Sequence, residues 1–249
     1  MTMEINLPTA DLLQTTHLSG SWHMALDAVL LQQRQPLLRF YTWSRPTLSL
    51  GFHQRELRPA WRDWQRQGHG ELVWRPSGGG AVLHGGDLCY ALIWPDPPCT
   101  RQQAYAVVCQ WLQRAFAQLG EPLRFGQQPA TGHPDCFARS TPADLVNAQG
   151  IKRIGSAQRW QRGCLLQHGS IQLSPDTDAW PTLLDGLAPA LPALPLRGDA
   201  LVDHLVAGAR QWLVLPAVAK PLGAELLSRA AAELERYCTS PLATMARTT

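Results

Sequence analysis

Three apolar runs of strand length follow one another near the middle of the chain: Asp144 to Asn147, Arg153 to Gln158 and Cys164 to Leu173. Branched and apolar residues bounded by glycines are what a sheet demands, so this stretch reads as consecutive strands. The second run starts from Gly150-Ile151-Lys152-Arg153-Ile154-Gly155-Ser156-Ala157-Gln158, and the third contains Leu166-Gln167-His168-Gly169-Ser170. A lysine between Gly150 and the small residues Gly155, Ser156 and Ala157 looks aimed at something. Small residues let a substrate chain lie close to the backbone while the ammonium stands over its polar head. Such a cation serves an oxyanion, a carboxylate or a phosphate equally well. The plain alternative is a surface lysine on a strand.

The rest of the chain supplies partners for these strands. Residues 20 to 34 place Met24, Ala25, Ala28 and Leu31 on one helical face after a serine that can cap. Leu37 to Trp43 and Thr47 to Gly51 read as strands separated by Arg45-Pro46, and Trp61 to Gln67 as a short helix. Glu71 to Arg75, Ala81 to His84 and Leu88 to Trp94 are further strands, the first two joined through Ser77-Gly78-Gly79-Gly80. A helix from about Arg101 to Leu119 is closed by Gly120. The expected fold class is α/β (α+β), a central mixed, largely antiparallel sheet flanked by helices. Beyond Pro175 proline-punctuated helices follow, roughly Asp199 to Leu213 and Gly223 to Cys238, and then a polar tail. The predicted division is a catalytic domain over residues 1–178 and a small helical appendage over 179–249.

Composition narrows the function classes. At 249 residues with 45% hydrophobic residues the chain can bury a large core without staples. A formal net charge of +3 is too small to argue for nucleic acid, although it suits an acidic protein partner. The six cysteines include no Cys-x-x-Cys pair, and no His-Glu-x-x-His cluster exists, so neither disulfides nor a protein-ligated metal is expected. The N-terminus lacks a signal peptide's pattern, and no run of 18 uncharged apolar residues occurs, so a cytoplasmic protein off the membrane is expected. A monomer is expected.

Four further groups carry candidate chemistry. Arg75-Pro76-Ser77-Gly78-Gly79-Gly80-Ala81-Val82-Leu83-His84 combines a cation with glycines whose amides can converge on an anion or a carbonyl oxygen, though a plain hairpin turn also uses such glycines. It is no nucleotide fingerprint, since neither Gly-Lys-Ser/Thr nor Gly-x-Gly-x-x-Gly is present. Cys136, in the loop-like Gly132-His133-Pro134-Asp135-Cys136-Phe137, can act as a thiolate nucleophile if a cation is near. Cys164 is the second candidate nucleophile; Cys89, Cys109 and Cys238 read as small buried hydrophobes. His84 and His168, each read at a strand end beside glycine, could orient a substrate or move a proton.

Taken in order, these segments resemble the lipoate-protein ligase and octanoyltransferase family, relatives of the biotin protein ligases. The resemblance runs from about Trp22 to Leu173 and includes Met24-Ala25-Leu26-Asp27, Thr47 to Gln54, the Arg75 to His84 segment, and the Lys152 motif with His168-Gly169-Ser170. It implies an acyl tunnel, with Arg75, Ser77, Gly78, Gly79, Gly80, His84, Gly155, Ser156, Ala157, His168 and Gly169 around the substrate and Lys152 at the carbonyl end. Asp135-Cys136-Phe137 is similar to the cysteine loop of octanoyltransferases that otherwise look like lipoate-protein ligase A, which makes Cys136 the implied nucleophile. Asp87-Leu88-Cys89-Tyr90 after the glycines also resembles the transferase form, and Ala143 stands where ligases usually carry asparagine. Ser77-Gly78-Gly79-Gly80, by contrast, has the ligase spelling. A transferase would take octanoate from acyl carrier protein and pass it to a lysine of a lipoyl domain or the glycine cleavage H protein, with no cofactor. The alternatives are an ATP- and magnesium-dependent ligase, and a non-catalytic protein that binds acyl carriers or lipoyl domains.

Overall fold

A computed structural model describes residues 9–126, 144–213 and 219–238. In chain order the elements are β1 (Asp11–Leu18), α1 (Gly20–Gln33), β2 (Leu37–Trp43), β3 (Thr47–Leu50), α2 (Pro59–Arg66), β4 (Glu71–Trp74), β5 (Val82–His84) and β6 (Asp87–Pro95). Then come α3 (Arg101–Gln118), β7 (Arg124–Phe125), β8 (Leu145–Val146), β9 (Lys152–Gln161), β10 (Cys164–Gln172), α4 (Trp180–Leu183), α5 (Gly198–Trp212), β11 (Ala219–Lys220), α6 (Ala224–Ala231) and α7 (Leu234–Cys238).

Eight of these strands form one mixed sheet in the order β11-β1-β2-β6-β10-β9-β8-β7. Strand β1 pairs in parallel with β2 and β11, and the remaining neighbours are antiparallel. Both faces of this sheet are covered, which is why β6 reads as a continuous apolar run and not as an alternation. Its Leu88, Tyr90, Leu92 and Trp94 pack with Val108, Leu112 and Phe116 of α3 and Leu201 and Leu205 of α5. Its Cys89, Ala91 and Ile93 pack on the opposite side with Met24, Leu26 and Leu30 of α1 and Leu226 and Ala230 of α6. Helix α3 starts from a full capping box between Thr100 and Gln103. Ser19 stands at the N-cap position of α1 without a side-chain cap bond; the Glu71 carboxylate takes the Gly20 amide instead.

Three strands leave this arrangement. The sequence suggests a single central sheet, but β3, β4 and β5 form a second one, in the order β4-β3-β5 with β3 parallel to β4 and antiparallel to β5. Because β3 lies between β4 and β5, the Ser77 to Gly80 stretch is a crossover and not a hairpin turn. A separate cluster of Leu48, Leu50, Trp61, Trp64, Leu72 and Trp74 holds this sheet to α2 and α4. The helix expected over residues 223 to 238 is broken into α6 and α7, and Cys238 is exposed, not buried as the sequence suggests. No helix among the described residues is long and apolar enough to cross a membrane.

Candidate active site

The two sheets and the start of α3 enclose a cavity of about 1030 Å³. Its wall contains Arg75, Gly78, Gly79, Gly80, His84, Lys152, Gly155, Ser156, Ala157, His168 and Gly169, residues singled out from sequence and drawn from the strands β5, β9 and β10 and from the segment that follows β4. Ser77 is not on the wall; it is buried behind it. Cys136 lies outside the described residues. Cys164, the second candidate, packs among apolar residues on the α1 side of the sheet, and burial pushes its thiol up to about 11.

Lys152 is nearly buried, and its Nζ lies 2.9 Å from Asp144 Oδ1. Strand β8 is short, and among the described residues it pairs with β9 only at Lys152 and Ile154. From Gly155 onward β9 therefore offers its outer edge to the cavity. Gly169 across from it has no room for a side chain: a Cβ there would meet Tyr90 Cε1 at 2.6 Å and Gly155 O at 2.9 Å. Gly79 in the glycine crossover sits at φ 99°, in the left-handed region that favours glycine. Gly51 makes its close approach possible, since a Cβ at Gly51 would fall 1.9 Å from Gly79 O.

The histidines are held by buried carboxylates absent from the sequence-derived site. His168 Nδ1 is 2.7 Å from Asp27 Oδ2, and Arg39 donates from Nε and Nη2 to Asp27 Oδ1 at 3.0 and 2.6 Å. His84 Nδ1 is 2.6 Å from Asp87 Oδ2, which also accepts from Ser170 Oγ at 2.6 Å. Burial alone would raise Asp27 and Asp87; Arg39 and His168 for the first, and His84 for the second, outweigh it and hold both low. His84 is lowered, burial prevailing over the attraction of Asp87. Cys89 lies on the wall with its Sγ 3.2 Å from Asp87 Oδ2, and burial together with that carboxylate pushes its thiol well above the usual range. His168 lies in mid-strand and not at a strand end. The ligand atoms of His84, Asp87 and Cys89 lie within 4.8 Å of one another, the one such group among the described residues that could hold a metal.

The remaining wall residues were not legible as site residues. Met24, Tyr41 and Trp43 close the buried end, while Arg101 and Gln102 of α3 stand at the exposed end. The signal for Asp27 was present, because a carboxylate interrupts the apolar face of α1, yet its partner is 141 residues away.

These buried rings make stability depend on pH. His23, tilted against Tyr41 with ring centroids 4.2 Å apart, is lowered from 6.5 to about 3, by burial first and then by the charge of Arg39. The unfolded ring binds a proton below its ordinary value and the folded ring does not. Stability from His23 is therefore complete above about pH 7 and lost progressively as pH falls from 6.5 toward about 3, at about 1.4 kcal/mol per pH unit, and His84, lowered by its burial, acts in the same direction. Urea unfolding at pH 7 and pH 5 should show this loss, with a smaller one for His23→Gln; an equal loss in both proteins would refute the assignment.

Comparison with known proteins places this arrangement. The model of the lipoyl protein ligase A/B catalytic domain matches residues 19–189. The chain belongs to that family. Octanoyltransferase LipM of Kyrpidia tusciae is 35% identical over 190 residues, 70% of this chain and 69% of the relative. LipM of Staphylococcus aureus is 36% identical over 177 residues, 63% of each. The match thus spans about two thirds of these relatives' length. Among solved structures, Ta0514 of Thermoplasma acidophilum with bound lipoic acid superposes with a TM-score of 0.78 at 20% identity, covering 92% of this chain and 95% of that one. A bi-partite lipoate protein ligase from the same organism gives 0.74 at 18% identity, covering 93% of each chain. The family's mixed sheet flanked by helices is the fold of this chain, and the second sheet is the part that sequence did not announce.

Proposed function

We propose that this chain is an acyltransferase that moves an octanoyl group from acyl carrier protein to a lysine of a lipoyl domain or the glycine cleavage H protein. The octanoyltransferase relatives support the acyl group, and the thioester route comes from the local match around Cys136. The Cys136 thiolate attacks the donor thioester carbonyl and expels the carrier thiol. The acceptor lysine's amine then attacks the Cys136 thioester, forming the amide, releasing Cys136 as the thiolate and giving up the proton that offsets the one taken up by the carrier thiol. Lys152 steadies the oxyanion in both steps, with the glycine crossover as the second support. The donor is already an activated ester of sulfur, so the reaction needs neither ATP nor metal.

The observation that supports this reading is where the described residues on either side of 127–143 lie. The Gly126 amide donates to Asp144 C=O at 2.9 Å, and Phe125, Asp144 and Lys152 all stand on the cavity wall. Both flanks of residues 127–143 therefore begin at the wall beside the lysine. The test is intact mass after incubation with octanoyl carrier protein, with and without ATP. One octanoyl adduct per chain, formed without ATP and discharged by an apo lipoyl domain, is the expected result. Modification of the lipoyl domain only from free acid with ATP and magnesium would replace this reading by a ligase, and no turnover with either donor by a binding protein.

A further inference from the structure

Two buried chains of hydrogen bonds have the same grammar. In each, a carboxylate meets a histidine Nδ1, and the same ring's Nε2 meets a serine hydroxyl: Asp27, His168 and Ser77 in one, Asp87, His84 and Ser49 in the other. An ionised carboxylate only accepts, so Nδ1 carries a proton, and in the singly protonated ring Nε2 is then an acceptor. The hydroxyls must then donate, from Ser77 Oγ over 2.5 Å and from Ser49 Oγ over 2.7 Å.

One chain ends on the glycine crossover at Ser77, and the other ends at Ser49 on β3 and reaches the crossover through Arg75. Ser77 is its first residue, and the His168 bond ties it across to the large sheet. Ser49 accepts from Arg75 Nη1 at its hydroxyl (2.8 Å) and its carbonyl (2.7 Å), while Arg75 Nη2 donates to Gly78 O at 3.1 Å and Gly80 O at 2.8 Å. In a trans peptide the carbonyl and the following N–H point in opposite directions. With Gly78 O turned toward the guanidinium, the Gly79 N–H is turned away from it, and Gly79 lies on the cavity wall. Ser77 itself is 1% exposed and off that wall, so an Asp-His-Ser order here does not make a nucleophile.

We propose that His168 and His84 are positioning residues: by holding the Ser77 and Ser49 hydroxyls at Nε2, they lock the glycine crossover so that the Gly79 amide faces the acyl carbonyl. This rests on the acyl-transfer reading for what the amide is for, but not for the locking itself. The relays hold the oxyanion support in place before the donor arrives, which lowers the cost of reorganisation at the moment of attack.

The experiment has two arms. In the free protein, nitrogen-15 spectra should show both rings protonated at Nδ1, and amide exchange at Gly79 should quicken in His168→Ala and Ser77→Ala but not in His168→Gln. Glutamine presents a donor and an acceptor at similar spacing yet cannot carry a proton through. In single-turnover octanoylation, His168→Ala and Ser77→Ala should each slow acyl-enzyme formation by about 10²-fold with little change in KM. The double variant should be no worse than the poorer single, and His168→Gln should recover to within about tenfold of the natural protein, the spread left open by a bond re-made at altered geometry. His84→Ala and His84→Gln should repeat the contrast. Rings protonated at Nε2, unchanged Gly79 exchange, additive losses, or a glutamine variant as slow as alanine would each overturn the proposal. If the natural protein forms no acyl-enzyme, the acyl-transfer reading falls, and the spectra and exchange still judge the relays.

Discussion

Cys136→Ala is expected to show no octanoyl adduct by intact mass and to lose turnover by roughly 10⁴-fold or more, the scale seen when a covalent nucleophile is removed. The other described thiols lie off the cavity wall or are poorly ionised. Among the described cysteines only Cys89 is on the cavity wall, and burial with the Asp87 carboxylate beside it keeps that thiol protonated at neutral pH. Cys109 is buried on the core-facing side of α3 and raised to about 12, and Cys164 is raised to about 11 away from the cavity. A thiol in that range is almost wholly unionised at pH 7, so it attacks a thioester slowly even when it can reach one. Peptide mapping of the acylated natural protein should place the label on the peptide containing Cys136. An adduct that persists in the alanine variant would sink the assignment and direct attention to Cys89.

Arg153→Met is expected to cost about 3–5 kcal/mol of stability, the range for breaking a buried ion pair from one side. Arg153 is fully buried on β9; its Nε and Nη2 donate to Glu121 Oε1 at 3.0 and 2.9 Å, and Nη2 lies 2.8 Å from Glu121 Oε2. Its Nη1 donates to Gln172 O at 2.7 Å and Nη2 to Pro192 O at 2.5 Å. One guanidinium thus joins the residue just beyond α3, the end of β10 and the stretch between α4 and α5. Methionine fills the volume but leaves the Glu121 carboxylate and two carbonyls without a donor. Urea unfolding of the single variant and of Arg153→Met with Glu121→Leu measures this. The double variant should regain part of the loss, because the stranded charge is gone while the carbonyls still lack partners. A single-variant loss below about 1 kcal/mol would contradict the account, since that is the range of an exposed pair.

Much of the fold could be read from particular residues. The apolar face of α1, the long run of β6 and the glycine after α3 are local signals, and each element lies where they put it. Strand β1 was missed because Gln14, Thr15, Thr16 and His17 interrupt its apolar start. The parting of β2 and β3 into different sheets was missed for another reason: both are short buried strands, and nothing local says which neighbour each will pair with. Likewise the glycines of residues 78 to 80 suit a hairpin and a crossover equally, until β3 is found between the strands they join.

Periodicity, glycine placement and ordered motifs in the sequence alone determined that this is a mixed α/β chain of the lipoate-ligase kind, and they put Lys152 forward as its candidate site residue. Those signals are short-range, set by backbone geometry and by which faces must be buried. Only the tertiary structure decided that Asp27 holds His168, that Asp87 holds His84, and that both histidines reach the glycine crossover through serines. A buried carboxylate is tolerable only where a distant donor meets it, and that meeting depends on how helix and sheets pack, which no local pattern encodes.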